Sequence, residues 1–266
     1  MNIGFIGFGN MAKAIAQGID GKRSELNAKM LAYNPTRSKI TDFDGQIEAC
    51  DTPLEVAQRS DYLFLCVKPQ MLAESVPQFR AGLTDETIIV SIIAGFTVEK
   101  LSALLEVNCP IVRVMPNTPL LLGKGTTAVA RPQTITDKQY SFVIDVFNSI
   151  GTAYEIPGDK FDEIIPVNGS SPAFIYYMAE IVAQKAEENG LDFRDSLNMF
   201  ADTLTGSAAM IKESGIAIDE LIKMVCSKKG TTIAMLDRLD EQNFKGVLDS
   251  ALDRCVERAR ELGKGE

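Results

Sequence analysis

Gly7-Phe8-Gly9-Asn10-Met11-Ala12 is the segment whose residue types and spacing most directly imply chemistry. An apolar run, Asn2-Ile3-Gly4-Phe5-Ile6, precedes it and a helical pattern from Met11 to about Asp20 follows, the context of a dinucleotide-binding turn. Gly7 permits the tight turn and Gly9 lets the backbone approach a pyrophosphate. Ala12 is small enough for the helix to pack close to the strand, and the helix start, with Asn10 and Met11, offers amides to the phosphates. Glycine turns without a ligand are common, so the strand before and the helix after carry the reading.

The end of the second strand indicates which dinucleotide. An acidic residue there holds the ribose 2′-hydroxyl of NAD; this chain has Asn34-Pro35-Thr36-Arg37-Ser38. No carboxylate repels a 2′-phosphate, and Asn34, Thr36 and Arg37 offer polar partners, so NADPH is expected and NADH stays open. The other reading is a turn at Asn34-Pro35 with Arg37 in solvent, which would leave the choice undecided. Val67-Lys68-Pro69, Ala94-Gly95 and Met115-Pro116-Asn117-Thr118-Pro119 each follow a further strand, where ligands bind in such folds. Two later segments open helices: Asn168-Gly169-Ser170-Ser171-Pro172-Ala173-Phe174 and Ser227-Lys228-Lys229-Gly230-Thr231-Thr232. The second could gather amides and hydroxyls around a small carboxylate, but on the residues alone a plain helix cap is the better account.

These segments need a parallel sheet to position them. Strands Lys29–Tyr33, Tyr62–Val67, Thr87–Ile92 and Ile111–Met115 are nearly continuously apolar, as strands covered on both faces are, and helices such as Pro53–Ser60 and Thr97–Val107 separate them. The expected fold is α/β: an N-terminal Rossmann-like, doubly wound, mostly parallel sheet over residues 1–157, followed by an all-α domain over 158–266. The second part is expected to hold helices at 172–188, 194–214, 218–225, 231–239 and 246–262, with two-sided apolar stretches such as Ala173-Phe174-Ile175-Tyr176-Tyr177-Met178. Burial of these between subunits predicts a homodimer through the helical half.

Composition narrows the class further. A net charge of −9 argues against a general nucleic-acid or anionic-membrane surface. The 5 cysteines are scattered without a C-x-x-C pair, and there are 0 histidines, so no metal site is expected. Apolar runs too short to span a bilayer and the absence of a targeting pattern suggest a reducing, cytoplasmic location. Without histidine, any proton transfer falls to Lys, Tyr or Thr.

Taken together, Gly7-x-Gly9-x-Met11, Val67-Lys68-Pro69, Met115-Pro116-Asn117-Thr118-Pro119, Gly169-Ser170-x-Pro172-Ala173 and Gly230-Thr231-Thr232 resemble the pyrroline-5-carboxylate reductases in order and spacing, over essentially the whole chain. The resemblance implies NAD(P)H-dependent reduction of 1-pyrroline-5-carboxylate to L-proline, the last step of proline synthesis. It also implies a helical domain exchanged across a homodimer, and dimers assembled into larger rings, as in a homodecamer. It assigns the substrate carboxylate to Ser227, Gly230 and Thr231, and the imine nitrogen to Thr232, mainly as a positioning group. Lys68 and Pro69 would line the nicotinamide ribose, with Val67 beside them in the cofactor site and Ala94 and Asn117 helping to fix the ring. Family members usually carry a second glycine where this chain has Ser171, and Pro-Gly where it has Lys228-Lys229.

Two other readings keep the same turn. A β-hydroxyacid dehydrogenase uses a helical lysine followed four residues later by asparagine, a spacing met by Lys185 and Asn189, although Asn189-Gly190 has the look of a helix stop. A non-catalytic NADPH-binding paralogue would explain Ser171, Lys228 and Lys229. Another imine is the alternative substrate.

Overall fold

The structure, a computed structural model, describes residues 1–264. Eight strands form one sheet: β1 (Asn2–Ile6), β2 (Lys29–Tyr33), β3 (Glu48–Ala49), β4 (Tyr62–Leu65), β5 (Ile88–Ser91), β6 (Ile111–Pro116), β7 (Gly125–Ala130) and β8 (Gly151–Glu155). Their order is β3-β2-β1-β4-β5-β6-β7-β8, parallel throughout except that β7 runs antiparallel to β6. From β1 the chain winds outward first to one side and then to the other, so the carboxyl ends of β1 and β4 flank the point where the direction reverses.

Helices α1 (Asn10–Gly21), α2 (Arg23–Leu26), α3 (Ser38–Thr41), α4 (Pro53–Arg59), α5 (Pro69–Ser75), α6 (Val98–Leu105) and α7 (Asp137–Asn148) accompany the sheet. Alternate residues of the same strands feed two separate cores. Ile3, Phe5, Phe64, Val90, Val112 and Val114 pack with α1 and α7, whereas Ile6, Leu63, Leu65, Ile89 and Ile111 pack with α4, α5 and α6. This is why the strands are apolar at nearly every position rather than at every second one.

Three strands and the helices α2, α3, α5 and α7 are additional to those named from the sequence. β3, β7 and β8 are built from small and polar residues near the sheet's edges, so they lack the apolar run that marks the central strands. α7 carries a legible start signal: Thr136 and Gln139 form a reciprocal capping box.

The chain divides into two compact units, one of Met1–Pro172 with the described residues from Cys255 on, the other of Ala173–Arg254. Within the first unit, buried Arg113 of β6 holds the segment that leaves the sheet. Its Nη1 donates to the Gly158 carbonyl at 3.4 Å, its guanidinium lies 4.5 Å from the Phe161 ring centre, and Asp162 stands 3.8 Å away. Burial lowers the Arg113 pKa while Asp162 and Glu99 oppose that shift. Arg260 reaches Glu163 at 2.9 Å and the Ser170 hydroxyl meets Cys255 Sγ at 3.2 Å, so the end of the chain packs in this unit as well.

The remaining helices are α8 (Ser171–Glu188), α9 (Phe193–Glu213), α10 (Ile218–Val225), α11 (Thr231–Glu241) and α12 (Phe244–Lys264), close to the five expected. In one chain their apolar side chains are widely open to solvent: Tyr177 is 62% exposed, Met199 71% and Val225 66%. Among the described residues, no helix is long and apolar enough to cross a membrane.

Candidate cofactor cleft and substrate loop

Gly7 follows β1 with φ +86°, a conformation that disfavours any side chain, and a Cβ there would lie 2.8 Å from the Cys66 carbonyl oxygen. The turn is held by Gly7 N–H donating to the Tyr33 carbonyl at 2.9 Å and Phe8 N–H donating to Asn34 Oδ1 at 3.1 Å. Asn34 Nδ2 in turn donates to the Thr36 carbonyl at 3.0 Å. Asn34 therefore ties the turn after β1 to the turn after β2, a role the sequence did not disclose. The Phe8 side chain is fully buried, edge-on to Phe5 and Phe43, so that only its backbone serves the turn.

Beside this turn lies a cleft of about 400 Å³ whose walls include Gly7, Phe8, Gly9, Asn34, Thr36, Val67 and Lys68, all expected from sequence. Tyr33, Lys39, Met71, Glu74, Ser75 and Gln78 complete much of the rest and were not anticipated. Asn10, Met11, Arg37, Pro69, Ala94 and Asn117 are not among its walls. Asn10 is exposed at the start of α1, Met11 packs against the core, Pro69 opens α5, and Ala94 lies half-buried beyond β5. Burial pushes the Cys66 thiol well above its ordinary pKa, so this cleft residue stays protonated.

The cleft fits a dinucleotide on one observation in particular. A Cβ at Gly9 would meet nothing within 4 Å, and Gly9 gives α1 no side-chain cap, so the open glycine and the free amides of the helix start face the same space. Arg37 is committed elsewhere, its guanidinium donating to Asp51 and to the Ala49 carbonyl.

Asn117 is likewise engaged internally. Its Oδ1 accepts from Thr126 N–H at 2.9 Å and its Nδ2 donates to Asn168 Oδ1 at 3.0 Å. Buried Asn168 donates to the Met115 carbonyl at 2.6 Å, so the two asparagines lock the end of β6 to the π-helical turn Ile165–Gly169. A buried amide needs such partners, and because only the fold creates that burial, nothing local in the sequence singled out the role of Asn168. Ser171 uses its hydroxyl on the Pro166 carbonyl at 2.6 Å, giving the departure at this position a local structural role.

In the helical unit, Ser227–Gly230 forms a turn closed by Gly230 N–H donating to the Ser227 carbonyl at 2.9 Å. Gly230 starts α11 without a side-chain cap, and Thr231 and Thr232 are its first two residues. Serine, glycine and two threonines at an uncapped helix start can bind a small carboxylate. Lys229, where relatives usually have glycine, takes φ +59°. Lys229→Gly is expected to raise stability by about 0.5 to 1 kcal/mol, because relief of left-handed strain exceeds the added freedom of the unfolded chain. A thermal melt reads this, and a lower midpoint would refute the strain. Lys185 sits in the last turn of α8, paired with Glu188 at 2.6 Å on the exposed surface. That pairing accounts for Lys185 without a catalytic role.

Comparison with known proteins assigns both halves. Residues 158–262 match the family model for pyrroline-5-carboxylate reductase dimerisation, and residues 2–95 match that for NADP oxidoreductase, coenzyme F420-dependent. A curated pyrroline-5-carboxylate reductase of Escherichia coli is 33% identical over 264 residues, 98% of each chain. The chain belongs to the pyrroline-5-carboxylate reductase family. The reductase of Methanosarcina acetivorans is 31% identical over 98% of both chains. Among solved structures, the Plasmodium falciparum pyrroline carboxylate reductase with NADP bound superposes with a TM-score of 0.87 at 26% identity, covering 99% of this chain and 98% of that one. This reductase chain thus carries both the nucleotide-binding and the dimerisation parts of its family.

Proposed function

We infer that this protein catalyses the NAD(P)H-dependent reduction of 1-pyrroline-5-carboxylate to L-proline, acting on a C=N bond. What carries the reading is likeness along 98% of the chain to a curated reductase of that name. NADPH is the proposed cofactor, since the second strand ends on Asn34 rather than on a carboxylate. NADH remains the alternative donor.

A reduced nicotinamide, when bound, supplies the hydride that the imine carbon accepts. The Gly9 backbone and the α1 start would hold the cofactor's phosphates, and Val67 and Lys68 of the cleft wall, with Pro69 next to them at the start of α5, would border its ribose. Ala94 and Asn117 shape the ring's surroundings through backbone placement, because the Asn117 amide is already engaged. Ser227, Gly230 and Thr231 hold the substrate carboxylate. Thr232 accepts or donates one hydrogen bond at the imine nitrogen and so fixes the ring's orientation. A protonated imine becomes a neutral amine on reduction, so no strong acid is needed, which suits a chain without histidine.

The first test is loss of reduced-nicotinamide absorbance with 1-pyrroline-5-carboxylate, run with NADPH and with NADH. Proline-forming turnover supports the reading; tight cofactor binding with no turnover overturns it. Thr232→Ala should lower kcat roughly 10-fold, the worth of one hydrogen bond, leave cofactor KM unchanged and be rescued by serine. Wild-type kinetics in the variant would remove Thr232 from the site. With no histidine, no side chain of ordinary pKa titrates between about pH 6 and 8. With NADPH saturating, so that its 2′-phosphate (second pKa about 6) is already bound, the log of kcat/KM should follow imine protonation there and move with the pKa of a substituted pyrroline. A bell whose limbs ignore the substrate would identify an enzyme group instead.

The functional division is proposed at residues 1–157 and 158–266, supported by the start of the dimerisation match at residue 158. Homodimerisation through the helical half is supported by its exposed Tyr176, Tyr177, Met199 and Val225. Assembly of dimers into a ring such as a homodecamer, and a cytoplasmic location, belong to the same proposal.

A further inference from the structure

We propose that Lys39, not Arg37, is the cation that selects the phosphorylated cofactor, an assignment that rests on the NADPH reading above. Lys39 lines the cleft together with Thr36 and Asn34, whereas Arg37 is absent from its walls. The cause is helical geometry. Residues 36–40 wind through the start of α3, with Lys39 N–H donating to the Thr36 carbonyl at 3.1 Å and Ile40 N–H to that of Arg37 at 2.9 Å. Positions three apart share a face, which puts Thr36 and Lys39 together; positions two apart point nearly oppositely, which turns Arg37 away from Lys39.

Arg37 then finds Asp51 and the Ala49 carbonyl on the β3 side. Buried Ile40, 2% exposed, fixes the rotation of the turn, since it must face the core. A cofactor lacking the 2′-phosphate presents a neutral hydroxyl to Lys39 and gains little from it. A 2′-phosphate presents about two negative charges to an ammonium, with the Thr36 side chain on the same face; the cleft wall's carboxylate, Glu74, belongs to α5 and not to the Asn34–Lys39 segment.

The test is calorimetric titration of NADP⁺, NAD⁺ and adenosine 2′,5′-bisphosphate into the wild type, Lys39→Ala, Lys39→Arg and Arg37→Ala, which reads binding without turnover. Lys39→Ala is expected to weaken NADP⁺ and the bisphosphate roughly 10- to 100-fold while NAD⁺ changes less than about twofold, and Lys39→Arg to restore most of the loss. Retained NAD⁺ binding shows that the variant's cleft is folded. Unchanged NADP⁺ affinity in Lys39→Ala, equal weakening of both dinucleotides, or loss of discrimination in Arg37→Ala instead would each overturn the assignment. Failure of the wild type to bind either dinucleotide would overturn the cofactor reading itself, and is seen before any variant is compared.

Discussion

Gly9→Val is expected to lower affinity for NADP⁺ by roughly 100-fold, about 3 kcal/mol, with little change in stability. The two effects separate because of where the new side chain goes. Nothing lies within 4 Å of a Cβ built on Gly9, so the branch point of the new side chain meets no protein atom. The backbone there, at φ −91° and ψ −169°, is one that valine adopts readily. The isopropyl group instead occupies the space in front of the α1 amides, which is where a phosphate must approach. The folding cost is that of a poorer N-cap residue, within about 1 kcal/mol. Titration calorimetry and a thermal melt on the same sample test both halves. An unchanged NADP⁺ affinity would mean that the phosphates bind elsewhere, and a large drop in melting temperature would mean that Gly9 is structural.

Gly7→Ala should instead act on the fold itself, destabilising it by about 2 to 5 kcal/mol, a large share of a typical domain's stability. Its φ of +86° is unfavourable for any residue with a Cβ, worth about 1 to 2 kcal/mol. The Cβ would also press on the Cys66 carbonyl oxygen at 2.8 Å. That carbonyl belongs to the backbone just past β4, beside the Cys66 N–H that donates to Ile6 at 2.9 Å, so it yields only if the pairing of β1 and β4 distorts. Such overpacking costs about 1 to 3 kcal/mol. Urea unfolding of the variant measures the loss, and less than about 0.5 kcal/mol would show that the turn relaxes freely. Cofactor affinity should fall as well, because the turn that aims the α1 amides is displaced.

The central strands and most of the helices were legible because each signal is local. β1, β2, β4, β5 and β6 are buried on both faces and so are written as apolar runs, and α8 to α11 carry apolar faces at helical spacing. β3, β7 and β8 were not legible, since runs of small and polar residues are strands only by virtue of a neighbour's edge. The same distinction runs through the cleft. Gly7 and Gly9 are recognisable because glycine marks a backbone requirement, whatever its surroundings. Tyr33, Met71, Glu74 and Gln78 are ordinary residues that become walls only when β2 and α5 are folded around the cleft.

Residue types and spacing alone determined the doubly wound sheet, the dinucleotide turn, the helical second half with its apolar faces, and the absence of histidine chemistry. They did so because backbone preference, hydrophobic period and composition are properties of short stretches of chain. Tertiary structure decided which polar side chains are free to act. Asn34 and Asn117, readable as ligands, spend their amides joining one loop to another, and Arg37 turns out toward Asp51 while Lys39 turns into the cleft. A side chain's direction and its competing hydrogen-bond partners come from segments distant in sequence, here Phe8, Thr126, Asn168 and Asp51, and no local pattern encodes those meetings.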